Sequence, residues 1–170
     1  MKWLFAVLII LVLPVLVVVI WGALLPKSHT ATRSLALQES PEAVWTLISG
    51  PPTWRSSIRG YEPVGKIDGL PSWREIDRHN HGITYEEVEA IAPKERITRI
   101  ADKDLPFGGT WKYEIQPSGS GCVLRITENG EVYNVIFRFI SRYFMRNTST
   151  IDQYLRDVAG HFHEAAEIRD

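Results

Sequence analysis

The chain has 170 residues, 45% hydrophobic and 23% charged, with 19 basic against 20 acidic side chains, which is ordinary for a folded protein. This near-neutral balance offers no basic footprint for nucleic acid. The single cysteine, Cys122, excludes an internal disulfide, and there is no internal repeat or low-complexity tract.

The apolar content is concentrated at the start. Trp3 to Leu25 carries no charge over 23 residues. At about 1.5 Å per helical residue that run reaches roughly 34 Å, enough to span a ~30 Å hydrocarbon core with slight tilt. Trp3 and Trp21 stand near its ends, where amphipathic rings favour the interface, and a proline such as Pro14 is tolerated in membrane helices. A cleaved signal peptide would have a shorter apolar core and a small-x-small exit, whereas the exit here is Leu24-Leu25-Pro26-Lys27-Ser28-His29. Residues 1–27 therefore read as one uncleaved transmembrane helix, and 28–170 as one domain. The charges flanking the run are nearly balanced; its very short head favours a cytoplasmic N-terminus and an extracytoplasmic domain.

Within the domain, Thr32 to Gln38 reads as a strand. Ser40-Pro41-Glu42 then announces a helix, with serine as cap, proline in the first turn and glutamate at the positive end of the dipole. Val44, Leu47 and Ile48 form its buried stripe and Gly50 stops it. A short turn around Trp54 to Ile58 leads into six strands: Tyr61 to Ile67, Trp73 to Arg78, Ile83 to Ile91, Arg96 to Ala101, Thr110 to Gln116 and Val123 to Thr127. Short Gly-, Asn- and Pro-bearing loops separate them, which implies an antiparallel meander. The chain closes on a helix in which Ile151, Tyr154, Leu155, Val158 and Phe162 recur at helical spacing, with Ser149 and Asp152 resembling a capping box.

This order, together with Ser40-Pro41-Glu42-Ala43-Val44-Trp45 and the stretch Glu128-Asn129-Gly130-Glu131-Val132-Tyr133-Asn134, resembles the START-like or SRPBCC superfamily over about residues 30 to 166. Within it the chain looks like membrane-anchored members of the polyketide cyclase/dehydrase and lipid-transport type. The resemblance implies an α+β helix-grip fold, a curved antiparallel sheet wrapped around a long C-terminal helix, here preceded by one transmembrane helix. It also implies a cavity between sheet and helix that takes a hydrophobic small molecule or lipid. Fold alone does not fix activity.

The residues can be asked whether they would line such a cavity. Strand side chains alternate, so Trp111, Tyr113 and Ile115 share one face, as do Leu124, Ile126 and Glu128. Trp54 and Phe107 fall on loops near a mouth. Trp54, Phe107, Trp111, Tyr113, Leu124, Ile126 and Glu128 are the ligand-binding candidates, each with plain core as its competing reading.

Catalytic signals are thin, and binding is favoured over catalysis. Glu128 is the weak candidate for acid–base work, because an apolar face would raise its pKa; a strand-end glutamate paired with arginine is the competing reading. Glu86, Glu87 and Glu89 read as a solvated face, and His79, His81, His161 and His163 as surface histidines, so no metal site is expected. Cys122 lacks a positioned base. No phosphate loop, zinc spacing or dinucleotide motif appears, so no cofactor is expected. The sequence carries no signal for an oligomeric state.

Val135 to Asn147 interleaves aromatic and aliphatic residues with Arg138, Arg142 and Arg146, four apart and hence one cationic stripe on a helix. Two readings remain: a core-packed helix with a solvated face, or an interfacial helix whose three arginines contact anionic headgroups. Membrane-tethered binding, perhaps transfer, of a hydrophobic molecule is thus the leading functional reading. The alternatives are a cyclase- or hydrolase-type enzyme using Glu128 and a non-catalytic interaction module.

Overall fold

The computed structural model describes residues 2–144 and 148–170, with the side chains of residues 2, 4–9 and 144 outside that description. The first element is helix α1 (Lys2–Leu24), with Pro14 inside it. Among the described residues no helix is long and apolar enough to cross a membrane. The side chains described as a run, Ile10 to Leu24, cover roughly 22 Å of helix against a ~30 Å core. Almost all of them are exposed.

Strand β1 (Ser28–Leu37) follows at once, then α2 (Pro41–Ser49) and a single 3-10 turn (Pro52–Trp54). The Ser40 side chain accepts from the Ala43 N–H at 3.2 Å, so the serine caps α2 as its sequence predicts. Val44 and Ile48 are its buried positions. Six strands come next: β2 (Ile58–Ile67), β3 (Leu70–Asp77), β4 (Gly82–Ile91), β5 (Glu95–Ile100), β6 (Phe107–Ser118) and β7 (Gly121–Val132). Helices α3 (Val135–Phe144) and α4 (Ser149–His161) and a short β8 (Ile168–Arg169) complete the chain.

Among the described residues these strands form one antiparallel sheet in the order β2-β3-β4-β5-β6-β7-β1-β8. The meander predicted from turn residues is therefore present, with β1 set beside β7 from Ser28↔Glu131 to Leu37↔Cys122. Register shifts in β2 and β4 mark bulges, which bend a strand and increase its twist. The sheet curves around α2 and α4. Leu35, Leu124, Ile126, Val44, Ile151, Leu155 and Val158 form the fully enclosed part of the core between them. The helix-grip architecture expected from the resemblance is the observed one.

Two helix expectations need correction. No side chain caps α4 at Thr148, and Asp152 does not complete a capping box. Its carboxylate instead accepts from Arg33 Nε on β1 at 3.2 Å, tying α4 to the sheet.

The second correction concerns α3. Arg138 is only 4% exposed and does not face outward with Arg142. Its guanidinium donates to the carbonyls of Gly22 and Leu25 at the end of α1 and of Val132 and Tyr133 after β7, at 3.1–3.3 Å. The last carbonyls of a helix have no intrahelical partners, and a cation there also suits the dipole. Arg138 is thus a clasp between α1 and the domain, and not a headgroup contact. Arg142 is exposed, and Arg146 lies outside the described residues. Gly22 makes the clasp possible, since a Cβ there would collide with the Val135 carbonyl oxygen.

Candidate functional site

Helix α4 covers β1 and β7 but leaves a hollow over β2 to β6. The result is a cavity of 320 Å³ lined by residues of the 3-10 turn, the sheet and α4, from Trp54 and Arg55 through Trp73, Glu75 and Tyr85 to Trp111, Glu128 and Tyr154. Alternation along the strands explains which side chains arrive there. Trp73 on β3 stands opposite Tyr85 on β4, and their rings stack 6.0 Å apart. Trp111 and Tyr113 share the inward face of β6, with centroids 6.0 Å apart, and both meet Tyr154 from α4 at 5.7 and 5.6 Å. Trp54 approaches the same tyrosine edge-on at 5.2 Å, while its indole N–H donates to the Leu47 carbonyl. Such edge-to-face sets add specific geometry to apolar burial.

Polar groups are few and fixed. Arg55 Nη1 lies 2.6 Å from Glu75 Oε2, and the Trp73 indole N–H donates to Glu75 Oε1 at 3.0 Å. The Arg55 guanidinium sits over the Tyr154 ring at 5.1 Å and that of Arg96 over Trp73 at 4.9 Å. Burial works against the charge on Arg55, but Glu75 together with Tyr154, Tyr113 and Tyr85 outweighs it and holds the guanidinium above its ordinary value. Burial pushes the hydroxyls of Tyr85, Tyr113 and Tyr154 upward, so all three are neutral phenols at physiological pH.

Glu128 lies on the cavity wall, well inside β7 and not at a strand end. Its Oε1 is 3.5 Å from His29 Nε2 on β1, so its partner is a histidine and not an arginine. Its Oε2 is buried without a hydrogen-bond partner among the described residues. Burial raises the carboxyl above the usual range, with His29 and the Trp111 indole pulling the other way.

Of the residues predicted to contact a ligand, Trp54, Phe107, Trp111, Tyr113 and Glu128 line the cavity. Leu124 and Ile126 do not: both are wholly enclosed in the core with Leu155 and Val158. Phe107 opens β6 instead of a loop, paired with Val132. Gly108 and Gly109 are likewise strand residues paired with β7. Gly109 adopts φ 138°, where a Cβ would collide with the Asn129 carbonyl oxygen.

The carboxylates of β4 are not a solvated face. Glu86 is 4% exposed and bonded to Arg99, and Glu87 accepts from Arg96 Nε at 2.8 Å; Glu89 alone is exposed. Among the described residues no group of three or more His, Cys, Asp or Glu side chains could hold a metal. Sequence reading missed Arg55, Trp73, Glu75, Tyr85, Arg96 and His29, and placed Tyr154 only as core. The alternation Trp73-x-Glu75 in a strand flanked by turns was the one available signal.

No protein-family model and no curated protein matches the chain. Solved structures do. A START superfamily protein from Mycobacterium smegmatis superposes with a TM-score of 0.62 at 15% identity, over 79% of this chain and 97% of that one. The likeness to that START superfamily protein is one of fold. Norcoclaurine synthase from Thalictrum flavum, in complex with dopamine and hydroxybenzaldehyde, matches at 0.60 and 13%, over 80% of this chain and 87% of its own. The di-domain ARO/CYC StfQ of the steffimycin pathway matches at 0.60 and 11%, over 79% of this chain and 50% of its own. At these identities the likeness concerns the fold alone, and the cavity is read from its own side chains.

Proposed function

We propose that the domain binds a small hydrophobic molecule carrying an aromatic ring, and that residues 1–27 tether it to a membrane. The observation that carries the binding reading is the aromatic lining of one 320 Å³ cavity around a fixed Arg55–Glu75 pair. That volume is at the small end of the ~300–1,000 Å³ typical of ligand pockets. A sphere of 320 Å³ is about 8 Å across, whereas an acyl chain crossing one leaflet runs to roughly 15 Å, half the ~30 Å core. A ring system with one polar end suits the space better than a two-chain lipid. The structural neighbour norcoclaurine synthase is found in complex with dopamine and hydroxybenzaldehyde, each a single aromatic ring with polar substituents. Tethering is supported by the uncharged run from Trp3 to Leu25.

Titration of the full chain in detergent with N-phenyl-1-naphthylamine tests the binding. Saturable quenching of tryptophan emission is expected, weakened by Trp111→Ala without loss of the folded state. Absence of saturable binding would overturn it and leave an interaction module. Retention in membranes after a carbonate wash tests the tether, and soluble chain starting near Ser28 would refute it.

One observation favours catalysis as a second reading. The Glu128 oxygen without a partner among the described residues, in a carboxyl shifted upward by burial, is the kind of group that takes or gives a proton. Turnover of an aromatic carbonyl substrate, lost in Glu128→Gln, would establish it.

A further inference from the structure

The clasped end of α1 and the cavity lie on the same side of the domain, with α3 between them. The Val132 N–H donates to the Lys27 carbonyl at 2.8 Å, and Val132 pairs with Phe107, which lines the cavity. Phe107 in turn meets Phe137 of α3, ring centroids 5.9 Å apart. Thr150, at the start of α4, is both exposed and part of the cavity wall, so the wall reaches solvent on this side.

The faces of α3 follow from its own contacts. Val135 and Phe139 lie against Gly22 of α1. Phe137 faces the cavity rim. At about 100° per residue, Ile136, Ile140 and Tyr143 fall in the sector between those two directions. These three are 44%, 41% and 52% exposed, although they are the apolar residues of a strongly amphipathic helix. Among the described residues this exposed apolar face therefore runs from the exposed apolar side chains of α1, such as Trp21 and Leu24, to the rim of the cavity. Arg142 is exposed but falls outside this sector, on the other side of the Val135–Phe139 direction. An exposed apolar sector continuous with an uncharged helix matches the interface of a bilayer.

We propose that the Ile136–Ile140–Tyr143 face of α3 lies in the membrane interface, and that the cavity takes its ligand from the bilayer past the Phe107–Phe137 contact. This rests on the tether and the binding reading above. It replaces the three-arginine stripe with an apolar contact, since Arg138 is spent on backbone carbonyls.

The test uses the full chain in vesicles of phosphatidylcholine and phosphatidylglycerol. Ile140→Cys, labelled with an environment-sensitive fluorophore, reports the depth of α3. Cys122 does not compete: it is buried, and burial pushes its thiol up to about 11. The Ile140 label is expected to emit at shorter wavelength and to be quenched by brominated lipid, while a label at Ala36→Cys, on an exposed position of β1, is not. An Ile140 label as indifferent to bromine as that at Ala36 overturns the membrane contact, even where carbonate washing upholds the tether.

For the access route, Ile136→Glu with Ile140→Glu is expected to slow transfer of N-phenyl-1-naphthylamine from vesicles to protein by about tenfold. Its equilibrium affinity in detergent stays unchanged. An unchanged transfer rate overturns the route. Lack of probe binding by the parent chain in detergent is a failure of the cavity reading instead, and the Ile140 label still decides the contact.

Discussion

Glu128 and His29 face each other across adjacent strands, Oε1 3.5 Å from Nε2, with the second carboxylate oxygen enclosed and without a partner among the described residues. The pair sits where the cavity wall meets the strand that leaves α1.

The first prediction concerns the pH dependence that this placement imposes. Burial raises the folded-state pKa of Glu128 above its unfolded value, and His29 only partly offsets it. A raised group favours folding while protonated, below the unfolded pKa of about 4.3, and that contribution is lost as pH rises through the folded pKa. Glu128→Gln should therefore raise the melting temperature at pH 7–8, and the gain should vanish toward pH 4. Thermal melts across that range check it; a gain that grows in acid would reverse the sign.

A second prediction separates two arginines four residues apart. Arg138 satisfies four carbonyls from a buried position, and a hydrogen bond to a charged group contributes about 1.5–3 kcal/mol. Arg138→Gln should cost on the order of 3 kcal/mol in urea unfolding of the full chain. Arg142→Gln, on an exposed position, should change it by less than about 0.5 kcal/mol. Equal effects would mean that the clasp is absent.

The third concerns α4. Leu155 is wholly enclosed against the sheet, so Leu155→Ala should cost about 2–5 kcal/mol. Denaturant unfolding measures it, and a loss under about 0.5 kcal/mol would place Leu155 off the buried face.

The fourth concerns the polar pair in the cavity. Glu75→Leu leaves the Arg55 guanidinium enclosed without its carboxylate, which should cost about 3–5 kcal/mol. Adding Arg55→Met should recover most of that loss, because the uncompensated charge is removed. A double variant no more stable than Glu75→Leu alone would show that both groups carry other contacts.

Much of the fold was legible because its signals are local. The Ser40 cap, the turn residues between strands and the spacing of Ile151, Leu155 and Val158 each act within a few residues. Half of the site was legible for the same reason, since alternation alone puts Trp111 and Tyr113 on one face. The rest depends on partners far away in sequence. Leu124 and Ile126 share a face with Glu128, but only the position of α4 decides that they are core while Glu128 meets the cavity. Arg55 and Glu75 lie 20 residues apart and read as ordinary surface charges until the strands bring them together. Arg138 misled for a plainer reason. Its four-residue spacing from Arg142 describes a helix face, and nothing in that spacing says that α1 would cover it.

The pairing of β1 with β7 has a consequence for how the protein is made. Thr30 and Asn129 are ladder partners 99 residues apart, so the first strand of this sheet to be synthesised waits for the last long one. Contacts of such separation are slow to form, and an unpaired strand edge is exposed in the meantime. During that interval β1 follows directly on α1. Under the proposed tether, a nascent chain whose α1 is already held at a bilayer keeps its open edge beside that surface, away from other nascent copies. Release of the helix before β7 is synthesised would leave both an apolar run and a bare strand in free solution, and aggregation during synthesis is where a defect in α1 would first be felt.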